Sequence, residues 1–297
     1  MNPHFLRIAD LTVAFSTRDP SLHIGPQGAA KRFAVAESTH PDVTVDVSWM
    51  EATDPIGIEE AQLRFDSGGI WKLYEQQNEF LFVFSSPRFI GGGVYKLALF
   101  DKDFCRGQVR LVKSCYPPGE SIYPLEYPLD ELLMLNLLGR GRGVELHACG
   151  IVDGAGQGFL FCGQSGAGKS TTAGLWQKDV PGAEVLSDDR IVIRKESGTY
   201  FMYGTPWHGD AQLSQAKRAP LSRVFVLKQG RQNGIQTLSA ATAAAELFAR
   251  SFPAFHDSSA LDFTVQFLSE MSDQKPCELL TFVRDSSAVE FVRRSVA

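Results

Sequence analysis

The sequence predicts a two-domain chain of mixed α/β (α+β) type. A β-rich accessory domain covers residues 1–125, and a domain over 126–297 alternates strands with helices. Three observations lead there. β-branched and aromatic residues alternate through much of the first part. Four prolines then fall within the 13 residues "YPPGESIYPLEYP", a stretch that breaks regular structure. Beyond it, short apolar runs are separated by segments carrying helix start and stop signals.

In order, "LRIADLTVAFS" and "DVTVDVSWM" read as strands. "IWKLYEQQNEFLFVFSS" reads as a hairpin turning near Gln76–Glu79. In its second arm Phe80, Phe82 and Phe84 share one face and Leu81 and Val83 the other, so the strand expects cover on both sides. "IGGGVYKLALFDKDFCRGQVRLVK" is a Gly-rich turn followed by another hairpin. "PLDELLMLNLLGRG" has the Pro start, acidic first turn, apolar body and Gly stop of a helix. "GVELHACGIVD" and "GFLFCG" are strands, "STTAGLWQKD" a helix, and "AEVLSDDRIVIRK" a strand with an acidic interruption. "SGTYFMYG" and "APLSRVFVLKQG" are strands, "SAATAAAELFARSF" and "SALDFTVQFLSEM" helices, and "CELLTFVRD" a late strand.

Composition bounds the function. Of 297 residues, 44% are hydrophobic and 21% charged, the balance of a folded protein. The formal net charge is −5 with no run of like charges, so a nucleic-acid partner is not expected. No stretch is long and apolar enough to span a membrane. The start, "MNPHFLRIADLTVAFS", lacks the basic lead and long apolar core of a signal peptide. The five cysteines form no metal-binding spacing and read as free thiols of a reducing compartment, so a cytoplasmic protein is expected.

Between the strand "GFLFC" and the helix "STTAGLW", the run Gly163-Gln164-Ser165-Gly166-Ala167-Gly168-Lys169-Ser170 matches G-x-x-x-x-G-K-[ST] in full, with Thr171 next. Glycines let the backbone curl so that successive amides point at phosphate oxygens, and the helix presents its positive end to the anion. Lys169 reaches the β- and γ-phosphates of a bound nucleotide, and the Ser170 hydroxyl suits Mg²⁺. This is a P-loop, or Walker A, motif, and it implies a bound nucleotide with Mg²⁺, without choosing ATP over GTP.

Downstream, "VLSDDRIVIR" sets Asp188 beside Asp189. Phosphoryl transfer to a hydroxyl calls for one carboxylate at the metal and one to accept the proton. Neighbours on a regular strand point to opposite faces, so both reach one site only at a strand end or bulge. A turn is the alternative reading. His147, in "ELHACGIVD", reads as a hydrogen-bonded core histidine or as a site residue. In "YGTPWHG", Trp207 and His208 are turn packing or cleft lining. Arg190, Lys217, Arg218 and Arg223 could meet phosphate but are weighed as surface charges.

A histidine strand, "GQSGAGKST" and "LSDDR" in that order resemble the catalytic domain of HPr kinase/phosphorylase over roughly residues 128–230. That family shares its fold with the ATP-dependent phosphoenolpyruvate carboxykinases. The resemblance implies that Lys169 and Ser170 hold phosphate and metal, that Asp188 is the base activating an acceptor serine, that Asp189 is a metal ligand, and that His147 lies near the active site. It implies a kinase dependent on ATP and Mg²⁺ that acts on a hydroxyl, a serine of a protein or peptide in the first place and a small molecule as the alternative. A nucleotide sensor without turnover is the rival reading, and self-association is left open. The first 125 residues resemble no part of the family, and are expected to select the acceptor.

Overall fold

The computed structural model describes residues 2–88 and 93–296 and shows a mixed α/β protein rich in strands. Apart from Gly93, the Gly-rich turn read in "IGGG" lies outside the described residues. The chain divides into two compact units, Met1–Asp130 and Glu131–Ala297.

The first unit is a nine-stranded sheet in the order β3-β1-β2-β4-β9-β8-β7-β6-β5. Its strands are β1 (His4–Ile8), β2 (Leu11–Thr17), β3 (Ala34–Val35), β4 (Val43–Met50), β5 (Gln62–Asp66), β6 (Trp71–Gln76), β7 (Glu79–Ser85), β8 (Val94–Asp101) and β9 (Arg106–Val112). β4 runs parallel to both β2 and β9. The β6–β7 hairpin turns on Gln77 and Asn78, both at positive φ, the turn geometry whose twist matches that of paired strands. As the alternation predicts, β7 is covered on both faces. Phe82 packs against Phe84, Phe100 and Phe104, while Leu81 and Val83 join Met50, Leu97 and Val112. Lys96, fully buried on β8, sets its Nζ 3.4 Å from the Glu126 carboxylate and 4.6 Å from the centre of the Phe84 ring.

The second unit contains α1 (Leu129–Leu138, with the division in its first turn), β10 (Val144–Val152), β11 (Gly158–Cys162), α2 (Lys169–Asp179), β12 (Glu184–Ser187), β13 (Arg190–Glu196), β14 (Thr199–Gly204), β15 (Arg218–Gln229), β16 (Gly234–Thr237), α3 (Ala240–Phe248), α4 (Ser258–Gln274), β17 (Cys277–Phe282) and α5 (Ser286–Val296). Pairing runs β11-β10-β13-β14-β15, and β15 also pairs in parallel with β11, so five strands close on one another. β17 and β16 extend from the far edge of β15. Alternate residues of β11 feed two cores, which explains its unbroken apolar run. Leu160 and Cys162 pack with Leu247, Phe267 and Met271 of α3 and α4. Phe159 and Phe161 pack with Trp176, Phe282 and Val289 beneath α2 and α5. Ser239 caps α3 by accepting from the Thr242 amide, and Asp257 caps α4 from Ser259 and Ala260. The sequence reading did not anticipate β3, β5, β16 or α5. Among the described residues no helix is long and apolar enough to cross a membrane. All five cysteines are free thiols.

Candidate functional site

The glycine loop leaves β11 at Gly163, whose amide donates to the His147 carbonyl at 3.2 Å. The Ala167 amide closes a turn onto Gln164 O at 3.0 Å. Gly166 and Gly168 sit at φ +78° and +109°, which favour glycine. At Gly168 space is a second constraint, because a Cβ would lie 2.6 Å from Cζ of Phe282. Helix α2 starts at the next residue, and Thr172 donates from both amide and hydroxyl back to Gly168 O.

Lys169 is buried and turned toward its neighbours. Its Nζ donates to Gly163 O at 3.1 Å and Gln164 O at 3.4 Å, lies 2.7 Å from His147 Nε2, and is 3.5 Å from Asp189 Oδ1. The same His147 nitrogen is 2.9 Å from Asp189 Oδ1. One imidazole nitrogen cannot accept from lysine and donate to the carboxylate at once, so its proton decides which contact is the hydrogen bond. Burial pushes the Lys169 ammonium below its ordinary range, with Asp189 opposing. Burial pushes the Asp189 carboxyl up, but the His147 hydrogen bond and the charges of Arg190, His147 and Lys169 together hold it below the usual value.

The acidic pair occupies the break between β12 and β13, and its two side chains part company. Asp188 is fully buried. It accepts from the Gly209 amide at 3.0 Å, the Ala211 amide at 3.1 Å and the Ser170 hydroxyl at 3.3 Å. It therefore ties the start of α2 to the segment after β14. Asp189 instead stands on the wall of a cleft of about 490 Å³, together with His147, Lys169, Ser170, Arg190 and Arg284. Ser165, Gly166, Gly168 and Thr171 also line that cleft, whereas Gly163, Gln164, Ala167 and Asp188 do not. The volume is within the range of small-molecule sites.

Arg190 is corrected from a surface charge to an enclosed one. Its guanidinium bonds Asp189, lies 3.0 Å from Glu131 and 3.5 Å from Glu145, and covers the Phe252 ring at 4.1 Å. Burial pulls its pKa down, but Glu131, Glu145 and Asp189 more than reverse this. Lys217, Arg218 and Arg223 pair elsewhere, with Glu184, Glu196 and Glu278. Trp207 is buried and His208 exposed, and neither lines the cleft. Thr205, from the same segment, bonds Arg190 O at 2.8 Å.

Sequence reasoning missed Glu131, Glu145, Phe252, Gly209, Asp210 and Arg284. The acidic first turn of α1 and the "WHGD" glycine carried a faint signal, and the others carried none.

A hydroxyl and a carboxylate 3.3 Å apart are hard oxygen donors of the kind magnesium takes. Among the described residues no group of three or more His, Cys, Asp or Glu side chains could hold a metal ion. Magnesium at nucleotide sites uses one or two protein ligands, phosphates and water, so the Ser170 hydroxyl on the cleft wall fits it, with the buried Asp188 carboxylate behind that hydroxyl.

The site thus defines a glycine loop opening a helix beside a lysine–histidine–carboxylate cluster, in a strand-rich α/β unit. Residues 132–275 match the family model described as "SynChlorMet cassette protein ScmC". Among solved structures, the HPr(Ser) kinase/phosphatase from Coxiella burnetii is weakly similar, with 12% identity and a TM-score of 0.31 over 51% of this chain and 94% of that one. No curated protein matches.

Proposed function

We propose that the second unit binds a magnesium nucleoside triphosphate, ATP by preference, and transfers its γ-phosphoryl group to a hydroxyl of a protein, peptide or small molecule. The observation that supports this most is the full G-x-x-x-x-G-K-S loop opening α2 with Lys169 against the His147–Asp189 pair. Ser170, whose hydroxyl Asp188 holds from behind, would meet the metal, which when bound neutralises charge on the phosphates. The loop amides and Lys169 position the transferring group.

Asp189 takes the acceptor's proton, a role the sequence resemblance gave to Asp188. Asp188 has no exposed surface and three donors on its oxygens, whereas Asp189 lines the cleft. When Lys169 turns to the phosphates, Asp189 loses one of the charges that hold its pKa down and becomes a better base. His147, hydrogen-bonded to it, orients the carboxylate.

Incubation with γ-labelled ATP, Mg²⁺ and candidate acceptors, followed by mass spectrometry, tests the reading. Asp189→Asn is expected to keep MgATP affinity and slow transfer by about 10²- to 10⁴-fold. Asp188→Asn is expected to weaken magnesium-dependent binding. Transfer at the wild-type rate by the Asp189 variant, with the Asp188 variant inert but binding normally, would return the roles to the order the resemblance implies. Nucleotide binding with no transfer to any acceptor would favour the sensor.

A further inference from the structure

We propose that Arg284, in the turn between β17 and α5, is a phosphate-binding residue of the nucleotide site, an inference that rests on the nucleotide reading above. Charge balance in the cleft points to it. Lys169 has Asp189 at 3.5 Å, and Arg190 is bracketed by Glu131, Glu145 and Asp189. Arg284 lines the same cleft, and among the described residues no carboxylate lies within ion-pair distance of it. It is a cation of that wall with no ion pair among the described residues, on a wall that also carries the Asp210 carboxylate. It is also aimed at the glycine loop, since its Nη2 donates to Gly166 O at 3.1 Å. A guanidinium carries five N–H donors in a planar fork that matches phosphate oxygens, so this bond leaves most of its capacity unused.

The position of Arg284 is fixed by the fold. The Gly230 amide bonds Phe282 O at 3.0 Å, and the Val283 amide bonds the Asn233 side chain at 2.8 Å. Phe282 itself lies under Gly168, close enough to exclude a Cβ there. The end of β17 is thereby registered against the β15–β16 turn and against Gly168 of the loop. Gln229, at the end of β15, donates to the same carbonyl at 2.6 Å. It serves as an internal control, because it touches the loop as Arg284 does, has no charge, and does not line the cleft. If Arg284 merely braces the loop, the two side chains are equivalent. If it binds phosphate, only the arginine responds to the ligand's charge.

Calorimetric titration with ATP, ADP and AMP in Mg²⁺ separates these. Arg284→Gln is expected to weaken ATP about tenfold, at the low end for a hydrogen bond to a charged group because the site is open to water. ADP is expected to weaken less and AMP not at all, with Arg284→Lys recovering part of the loss. Gln229→Ala is expected to change all three ligands by one common factor or not at all. Melting curves of each variant establish that it is folded. Equal ATP affinity in Arg284→Gln and wild type overturns the proposal, as does a uniform loss across ATP, ADP and AMP matching that of Gln229→Ala. If the wild type binds none of the three, the nucleotide reading falls and this proposal with it, whereas normal wild-type binding with an indifferent Arg284 removes the proposal alone.

Discussion

Lys96 and Lys169 are both buried ammonium groups, one in each unit, and both are pushed below the ordinary lysine range by burial. Lys96 lies among aromatic rings with the Glu126 carboxylate as its hydrogen-bonded counter-charge. Lys169 is held by two loop carbonyls, an imidazole and a carboxylate, on the wall of a cleft. Water and ligand can reach the partners of Lys169 on the cleft wall, while Lys96 itself has no exposed surface. Burial perturbs both groups, and access to exchangeable partners is what separates a charge that can act from one that only packs.

The widest separation is expected in nucleotide affinity. Lys169→Ala should weaken ATP by about 10²- to 10³-fold, as loss of a charge-assisted hydrogen bond in a partly buried site, and should weaken AMP much less. Lys96→Ala should leave ATP binding unchanged in the same titration. If both variants lose ATP equally, the contrast between the two lysines is wrong.

Stability should show the reverse. Lys96→Ala empties the space beside Phe84 and is expected to lower unfolding free energy by about 3 kcal/mol, within the range of large-to-small core changes. Lys96→Met refills that space without a charge and should stay within about 1 kcal/mol of wild type or exceed it. Urea unfolding of the three proteins decides this. A Met variant as unstable as the Ala variant would mean that the ion pair with Glu126, and not packing, is what the lysine supplies.

The smallest effect sharpens the electrostatics. A lysine whose folded pKa lies below its unfolded value binds fewer protons when folded in the interval between the two. Stability then rises with pH through that interval, since the unfolded state holds the extra proton. The penalty of burying charged Lys96 is therefore full below its depressed folded pKa and fades as pH climbs from there toward the ordinary lysine value of 10.5. The stability of wild type relative to Lys96→Met should increase as pH rises toward the ordinary lysine pKa. A difference that stays flat would place the folded pKa at its ordinary value.

Local chemistry made much of the fold legible. The β6–β7 hairpin announced itself through alternation and a polar turn, α1 through its Pro start and Gly stop, and β11 through apolar residues on both faces. Helix α5 also carried a signal, Ala288, Val289 and Val292 at helical spacing, which the sequence reading passed over. The edge strands β5 and β16 did not, because each is short and half polar.

In the site, the loop could be read because all its parts are adjacent in sequence. The parting of Asp188 from Asp189 could not, since it depends on the Gly209 and Ala211 amides arriving from another segment. The enclosure of Arg190 likewise needs Glu131, Glu145 and Phe252, which come from elements on either side of it in the chain.

The bond from Arg284 to Gly166 joins residues 118 positions apart. On a ribosome adding roughly 5–20 residues per second, the loop emerges about 6 to 24 seconds before the arginine and phenylalanine that register it. Through that interval the nascent chain displays a glycine loop without its outer wall. If the loop binds nucleotide as proposed, its full set of contacts exists only once synthesis has passed β17, so the finished unit holds the ligand more tightly than the nascent loop does.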